Sequence, residues 1–203
     1  MLSLIFLSFK SCIIKIFFFK AGLCFFGYIP LELIDKNISI KYLLCLLNSK
    51  LLNYYFQNIF SNNRTLFPIM KSGNIEGLPI CLPIDNQKSF IDLADTMLSH
   101  NLHLHVIRKK FLKRLTDNLT GIKIIGVLEN FEELDFKQFL SELKKQKITP
   151  SLKQQDEWEE YFNENRETCR ALVLHINETD NAIDKMVYEL YGFELAALIK
   201  SSL

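Results

Sequence analysis

Apolar positions between residues 151 and 192 recur in a fixed rhythm. Trp158, Phe162, Cys169, Leu172, Ile176, Ile183, Met186 and Leu190, with Asn165 and Thr179 filling two gaps, follow one another in alternating steps of four and three. A heptad seam sustained this far predicts one long coiled-coil-like helix rather than the stripe of a short core helix. Pro150 and Ser151 restart the chain ahead of it, Ser151 and Gln154 have capping-box spacing, and Gly192 is placed to end it. A second seam, from about residue 89 to 116, runs through Phe90, Leu93, Met97, Leu104, Ile107 and Phe111. Asp85 or Asn86 would cap it, and Asn118 and Gly121 would end it. Between the two, residues 121–148 predict a shorter helical pair, with Asp135 as N-cap and Phe136, Phe139, Leu140 and Leu143 as one apolar face. The two long helices are then expected to fold back on each other antiparallel, each ~40 Å long or more at the α-helical rise.

Upstream the periodicity changes. Leu43, Leu46, Leu47, Leu51, Tyr54 and Tyr55 predict a helix over 39–60 with Ser39 as N-cap, interrupted on its apolar face by Asn48, Ser49 and Lys50. Next come a polar loop (61–65) and turn residues Pro68, Gly73, Gly77, Pro79 and Pro83 around a short strand at 79–82. The first 30 residues are rich in Phe and Ile, with Lys10, Lys15 and Lys20 spaced through them. The first lysine follows the apolar run rather than preceding it, unlike a secretory signal. The lysines also cut the run into pieces too short to span a membrane. A pair of buried strands, or residues read from a truncated or shifted frame, is the expectation; interfacial membrane attachment through snorkelling lysines is the alternative. The fold class expected is α+β, predominantly helical: a small α/β head followed by a long antiparallel helical tail. Its divisions are an apolar segment (1–35), the head (36–88), the tail (89–192) and a fraying end (193–203).

Composition narrows the function. The chain has 203 residues, 49% of them hydrophobic, and a net charge of +1, so nucleic-acid contact has to come from local patches. Five scattered cysteines (Cys12, Cys24, Cys45, Cys81 and Cys169) never approach a CxxC spacing and read as buried thiols of a reducing, cytoplasmic compartment. His100, His103 and His105 cluster, but residues two apart on a helix do not share a face, so ordinary surface histidines are the better reading than a metal site. No glycine loop for phosphates, no Walker-type lysine and no GxSxG is present, and Asp85 with Lys88 lacks the second carboxylate of a metal-dependent nuclease. No catalytic constellation emerges. The run RKKFLKR (108–114) could neutralise phosphates, although cations near a helix C-terminus more often serve the helix itself. Asn62, Asn63, Arg64, Lys71, Ser72 and Asn74 combine amide, guanidinium and hydroxyl groups on turns, the types that contact base edges and phosphates. The candidate DNA-binding residues are these six with Arg108, Lys109 and Lys113.

YLLCLLNSKLLNYYF (42–56), LFPIMKSGNIEGLPICLP (66–83) and the helix starting near Phe90 resemble the end of the target-recognition domain in TaqI-type adenine-specific DNA methyltransferases, above all the fused type IIG restriction–modification enzymes. ELDFKQFLSELKKQKI (133–148), KQQDEWEEYF (153–162) and IDKMVYELYG (183–192) are similar to the helical tail of the same proteins. The specificity subunits of type I systems share the pattern more distantly. The resemblance implies a module that reads double-stranded DNA and positions a methyltransferase over it. In that family the target adenine is flipped out and N6-methylated with S-adenosylmethionine. The family's Asn-Pro-Pro-aromatic motif is missing here, since the chain contains no Asn-Pro pair. Recognition is therefore what the resemblance transfers: no catalytic residue and no cofactor in this chain, with a methyltransferase domain or subunit as partner. Ile69 stands where the family pattern has a basic residue, and together with the unusual first 30 residues this points to a truncated fragment. The alternative is a helical assembly module that touches no DNA.

Overall fold

The computed structural model describes residues 13–14, 29–30, 38–60, 78–81 and 87–193. Its elements are a two-residue antiparallel pairing of β1 (Ile13–Ile14) with β2 (Ile29–Pro30), helices α1 (Ile40–Asn48), α2 (Lys50–Phe60) and α3 (Gln87–Asn118), a 3-10 segment (Gly126–Glu133), α4 (Phe136–Lys145) and α5 (Leu152–Leu190). Ile13 lies opposite Pro30 and Ile14 opposite Ile29. The protein is predominantly helical, and the expected α/β head is not supported. Among the described residues strand structure is confined to that pairing and one bridge at Cys81, too little to offer helices a sheet face. None of the helices, among the described residues, is long and apolar enough to cross a membrane. The caps considered at Asp85 and Asn86, the turns at Pro68, Gly73, Gly77 and Pro83, and the end beyond residue 193 lie outside the described residues.

Two compact units divide the chain: residues 1–96 with 179–203, and residues 97–178. In the first, the single helix expected over 39–60 is two. Ser49 adopts extended backbone angles (φ −66°, ψ 150°) and separates α1 from α2. Its buried hydroxyl donates to the Leu46 carbonyl at 2.6 Å and accepts from the Leu52 amide at 3.3 Å. One side chain therefore closes one helix and opens the next, the local competition with the backbone for which serine is suited. The interruption at Asn48, Ser49 and Lys50 is a helix boundary and not a gap in one apolar face. Ser39 caps α1 as expected, accepting from the Lys41 amide at 3.3 Å. Tyr42, Leu43, Cys45, Leu46 and Leu47 of α1 are buried, and the Tyr42 ring meets Phe90 of α3 edge-on at 5.1 Å. Ala94, which a strict heptad count skips in favour of Leu93, is buried as well.

In the second unit α3 and α5 run antiparallel, as their ring contacts show: His100 pairs with His175, and Phe111 with Trp158, Tyr161 and Phe162. Phe111 is the hub. It stacks on Phe131 of the 3-10 segment (3.7 Å, 18°) and on Tyr161 (5.6 Å, 11°), while Phe162 stacks on Phe139 of α4 at 4.8 Å. Leu115, Leu119, Leu128 and Leu143 fill in around the rings. Each good aromatic pair contributes about 0.5–1.5 kcal/mol beyond burial alone. The helical pair expected over 121–148 is one 3-10 segment, kinked at Asn130, and one α-helix. Asp135 forms a complete capping box with Gln138, and Ser151 forms the same device with Gln154.

The α5 seam is buried or half-buried at every one of its positions. Near its end the buried position shifts from Met186 to Val187, joined by Asp184. A straight α-helix drifts about 20° per heptad against a strict seven-residue repeat. The helix closes at Gly192 (φ +76°), with Gly192 N–H on the Glu189 carbonyl and Phe193 N–H on the Tyr188 carbonyl. α4 closes in the same way, but with Lys147 (φ +62°) at the left-handed position.

Candidate nucleic-acid interface

Asn62, Asn63, Arg64, Lys71, Ser72 and Asn74 lie outside the described residues. Their described neighbours in sequence, α2 and residues 78–81, are fixed by buried polar contacts within the first unit. At the start of α2 the Asp184 carboxylate, 5% exposed, accepts the Lys50 backbone N–H at 2.8 Å through Oδ1 and pairs with Lys50 Nζ at 2.7 Å through Oδ2. Helix N-termini leave amides without partners, so a buried carboxylate here is both a cap and a charge complement. The hydrogen bond to Asp184 raises the Lys50 pKa, with burial opposing.

Residues 78–81 form an extended segment in which Leu78, Ile80 and Cys81 are buried. Two tyrosines hold its backbone. Tyr42 of α1 donates its hydroxyl to the Cys81 carbonyl at 2.6 Å. Tyr191, just past α5, donates to the Pro79 carbonyl at 2.5 Å and accepts the Cys81 N–H at 3.1 Å. Burial pushes the Tyr191 phenol up to about 12, with the Cys81 amide acting against it, and drives Tyr42 far above the usual phenol value. Both hydroxyls therefore stay protonated and available as donors. Lys41 and Asp95 add an ion pair (2.6 Å) between α1 and α3, and the Gln87 side chain accepts the Ser39 amide at 2.7 Å.

The basic run 108–114 on α3, in the second unit, splits by role. Arg108 is half-buried and ion-paired with Glu132, whose own exposure is 3%. Arg170 of α5 donates Nε to the Glu132 carbonyl at 2.8 Å, so two arginines from two helices grip one residue of the 3-10 segment. Around them lies a cavity of about 390 Å³ lined by Arg108, Glu132, Glu133, Arg170 and Val173. Lys109, Lys110, Lys113 and Arg114 are exposed, with Arg114 over the Tyr161 ring at 5.6 Å. Of the three candidates in this run, Lys109 and Lys113 face solvent, whereas Arg108 is held in the fold.

His100 is half-buried against His175 (5.6 Å between centroids), while His103 and His105 are exposed. Among the described residues no group of three or more His, Cys, Asp or Glu side chains could hold a metal. Cys45, Cys81 and Cys169 are free and buried; Cys12 and Cys24 lie outside the described residues. Burial pushes the Cys45 thiol up to about 12 and raises Cys81. Cys169 rises to about 11, through burial first and Glu132 second, with Arg108 opposing. Thiols protonated this firmly are packing groups rather than nucleophiles.

Sequence reasoning does not single out Asp184, Tyr191, Glu132 or Arg170. Asp184 and Tyr191 do stand inside the IDKMVYELYG segment, where a heptad seam has room only for the apolar members.

Comparison with known families divides the chain near the same place as the described segment 78–81. Residues 27–80 match the TaqI-like C-terminal specificity domain. Residues 83–187 match a family described as a domain of unknown function (DUF8810). No curated protein and no solved structure matches the chain.

Proposed function

Since the chain belongs to the DUF8810 family, a domain of unknown function that spans more than half of it, we propose that its activity is set by the adjoining specificity domain: the protein reads DNA within a restriction–modification system. The observation that carries this reading is the match of residues 27–80 to the TaqI-like C-terminal specificity domain. Supporting it, Lys109, Lys110, Lys113 and Arg114 form an exposed cationic turn that can neutralise phosphates. In this reading Asn62, Asn63, Arg64, Lys71, Ser72 and Asn74 supply the base and phosphate contacts. An adenine-N6 methyltransferase domain or subunit using S-adenosylmethionine does the chemistry, and the helical part aligns the two. The type IIG class and a cytoplasmic setting belong to the same proposal.

Fluorescence anisotropy against labelled duplex DNA tests it. Non-specific affinity should lie on the order of 10⁻⁴–10⁻⁶ M at physiological salt and tighten as salt falls. Replacing Lys109 and Lys113 by Ala should lower the slope of log affinity against log salt by about 0.9 for each phosphate that is no longer neutralised. Arg64→Ala with Lys71→Ala should weaken binding further. Absence of binding at low salt with protein at ~100 µM, the weak limit of the non-specific range at physiological salt, ends the reading for this chain.

A further inference from the structure

We propose that the cavity lined by Arg108, Glu132, Glu133, Arg170 and Val173 is a binding site for an unpaired guanine base. All five residues belong to the second unit, and they come from α3, the 3-10 segment and α5. The volume of about 390 Å³ falls in the range of small-ligand sites. The walls keep hydrogen-bonding capacity that the fold does not use. Arg108 reaches Glu132 through Nη2, and Glu132 answers with Oε1 alone. Arg108 Nε and Glu132 Oε2 are buried without a partner. Buried polar atoms are nearly always paired, so two such orphans in one wall mark a place for a polar guest. Arg170 uses only Nε, on the Glu132 carbonyl at 2.8 Å, and among the described residues its two Nη groups bond to nothing. Glu133 is exposed and equally uncommitted among the described residues.

The charge balance selects the kind of guest. Two guanidinium groups and two carboxylates cancel, so a bare anion gains little from the field of the site. A neutral ring with acceptors on one edge and donors on another satisfies both signs at once. Among the DNA bases, guanine alone combines two adjacent acceptors, O6 and N7, with two adjacent donors, N1–H and the N2 amine. A guanidinium fork takes the first pair bidentately, and a carboxylate takes the second. Arg170 is then the O6/N7 contact, and Glu133 is the N1/N2 contact. Arg108 and Glu132 form the wall behind them, and half-buried Val173 offers apolar surface to the ring face.

In a Watson–Crick pair the N1/N2 edge is covered by cytosine. The guest is therefore the guanine of a free nucleotide or an unpaired guanine in a DNA strand, and both present the same edges. The site does not depend on the proposed reading of duplex DNA. Anisotropy on duplex DNA tests that reading separately, so either can fail alone.

Ligand-observed NMR titration of the full chain with guanosine 5′-monophosphate tests the site, with a dissociation constant expected on the order of 1 mM. Adenosine monophosphate carries the same phosphate and should bind roughly tenfold more weakly, since it lacks the edge pattern. Inosine monophosphate, without the N2 amine, and 7-deazaguanosine monophosphate, without N7, should each lose several-fold. Arg170→Lys keeps the charge but removes the fork, and Glu133→Ala removes the carboxylate. Each should weaken guanosine monophosphate several-fold with an unchanged far-UV circular dichroism spectrum, because both side chains are exposed. A single-stranded oligothymidylate with one guanine that displaces the nucleotide supports a DNA source; an oligonucleotide that leaves it bound supports the free nucleotide. No saturation up to roughly 10 mM, well above that dissociation constant, overturns the proposal. Equal binding of adenosine monophosphate or inorganic phosphate overturns it too, as does indifference to both substitutions.

Discussion

The two units share helices α3 and α5, yet each is stabilised internally by different means. The second is an aromatic core: Phe111 stacks on Phe131 and Tyr161, Phe139 stacks on Phe162, edge-on and tilted contacts join the two groups, and leucines fill the gaps. The first has an apolar interior too, but its segments are located by single polar atoms. Asp184 caps α2, and Tyr42 with Tyr191 holds residues 78–81. Burial of rings depends on area and tolerates small shifts, whereas a hydroxyl on a carbonyl fixes position to a few tenths of an ångström. The unit that contains the matched specificity segment is thus the one fastened by directional contacts.

Four experiments can sharpen or break that contrast, beginning with the largest expected effect. Phe111→Ala should cost about 3–5 kcal/mol, the range for deleting a buried phenyl ring. Urea unfolding followed by the fluorescence of Trp158, which lies in the second unit, measures it; a loss under about 1 kcal/mol, typical of surface changes, would deny Phe111 its central place.

Alkaline pH should act more strongly on the first unit. The folded state raises Cys45 from 9.0 to about 12 and Tyr191 from 10.0 to about 12, and raises Lys50. A raised folded value means the folded chain holds the proton more tightly, so the stability it contributes is complete below the unfolded value and is lost as pH rises through the folded one. The second unit has Cys169, raised from 9.0 to about 11, and little else of this kind among the described residues. Melts between pH 8 and 11 should therefore separate circular dichroism, which sees both units, from Trp158 fluorescence, with the dichroism falling first. Coincident transitions at every pH would refute the difference.

Asp184→Ala removes one of the two side chains that cap α2, leaving Ser49 on the Leu52 amide, and should cost about 1–2 kcal/mol. Asp184→Asn should restore most of this, because an amide oxygen still accepts the Lys50 N–H. The Lys50 ammonium is 60% exposed and its ion pair contributes little. If Asn proved as damaging as Ala, charge rather than capping would be holding α2. Smallest, Lys147→Gly should stabilise the second unit by about 0.5–1 kcal/mol by relieving the left-handed residue that closes α4, read as a rise in melting temperature.

Legibility in the sequence follows the same divide. The α3 and α5 seams and the caps at Ser39, Asp135 and Ser151 can be read directly, because periodicity and capping are local and repeat every few residues. The break at Ser49 is visible as an interruption, but its meaning requires the Leu46 carbonyl and the Leu52 amide. Asp184 and Tyr191 give no local signal at all: their partners Lys50 and Cys81 are 134 and 110 residues away. Arg108 looks like one more cation in a basic run until Glu132, buried and distant in sequence, proves to be its counterion. The α/β head rests on a short strand at 79–82 between turn residues; the described part of that stretch is one extended segment with a single bridge at Cys81, fastened by tyrosines.

The discontinuity of the first unit has a consequence for how the chain is made. Residues 78–81 leave the ribosome well before Tyr191 exists, because 110 residues separate Cys81 from its hydroxyl partner. At 5–20 residues per second the interval is roughly 5–20 s. Throughout it the second unit can complete its own core, since every ring it uses lies between residues 97 and 178. Tyr42 is made first and can already hold the Cys81 carbonyl, but the Pro79 carbonyl and the Cys81 amide must wait, open to water or to a chaperone, until Tyr191 arrives just past α5. Order of synthesis and order of folding are therefore reversed: the segment made earlier is the one finished last.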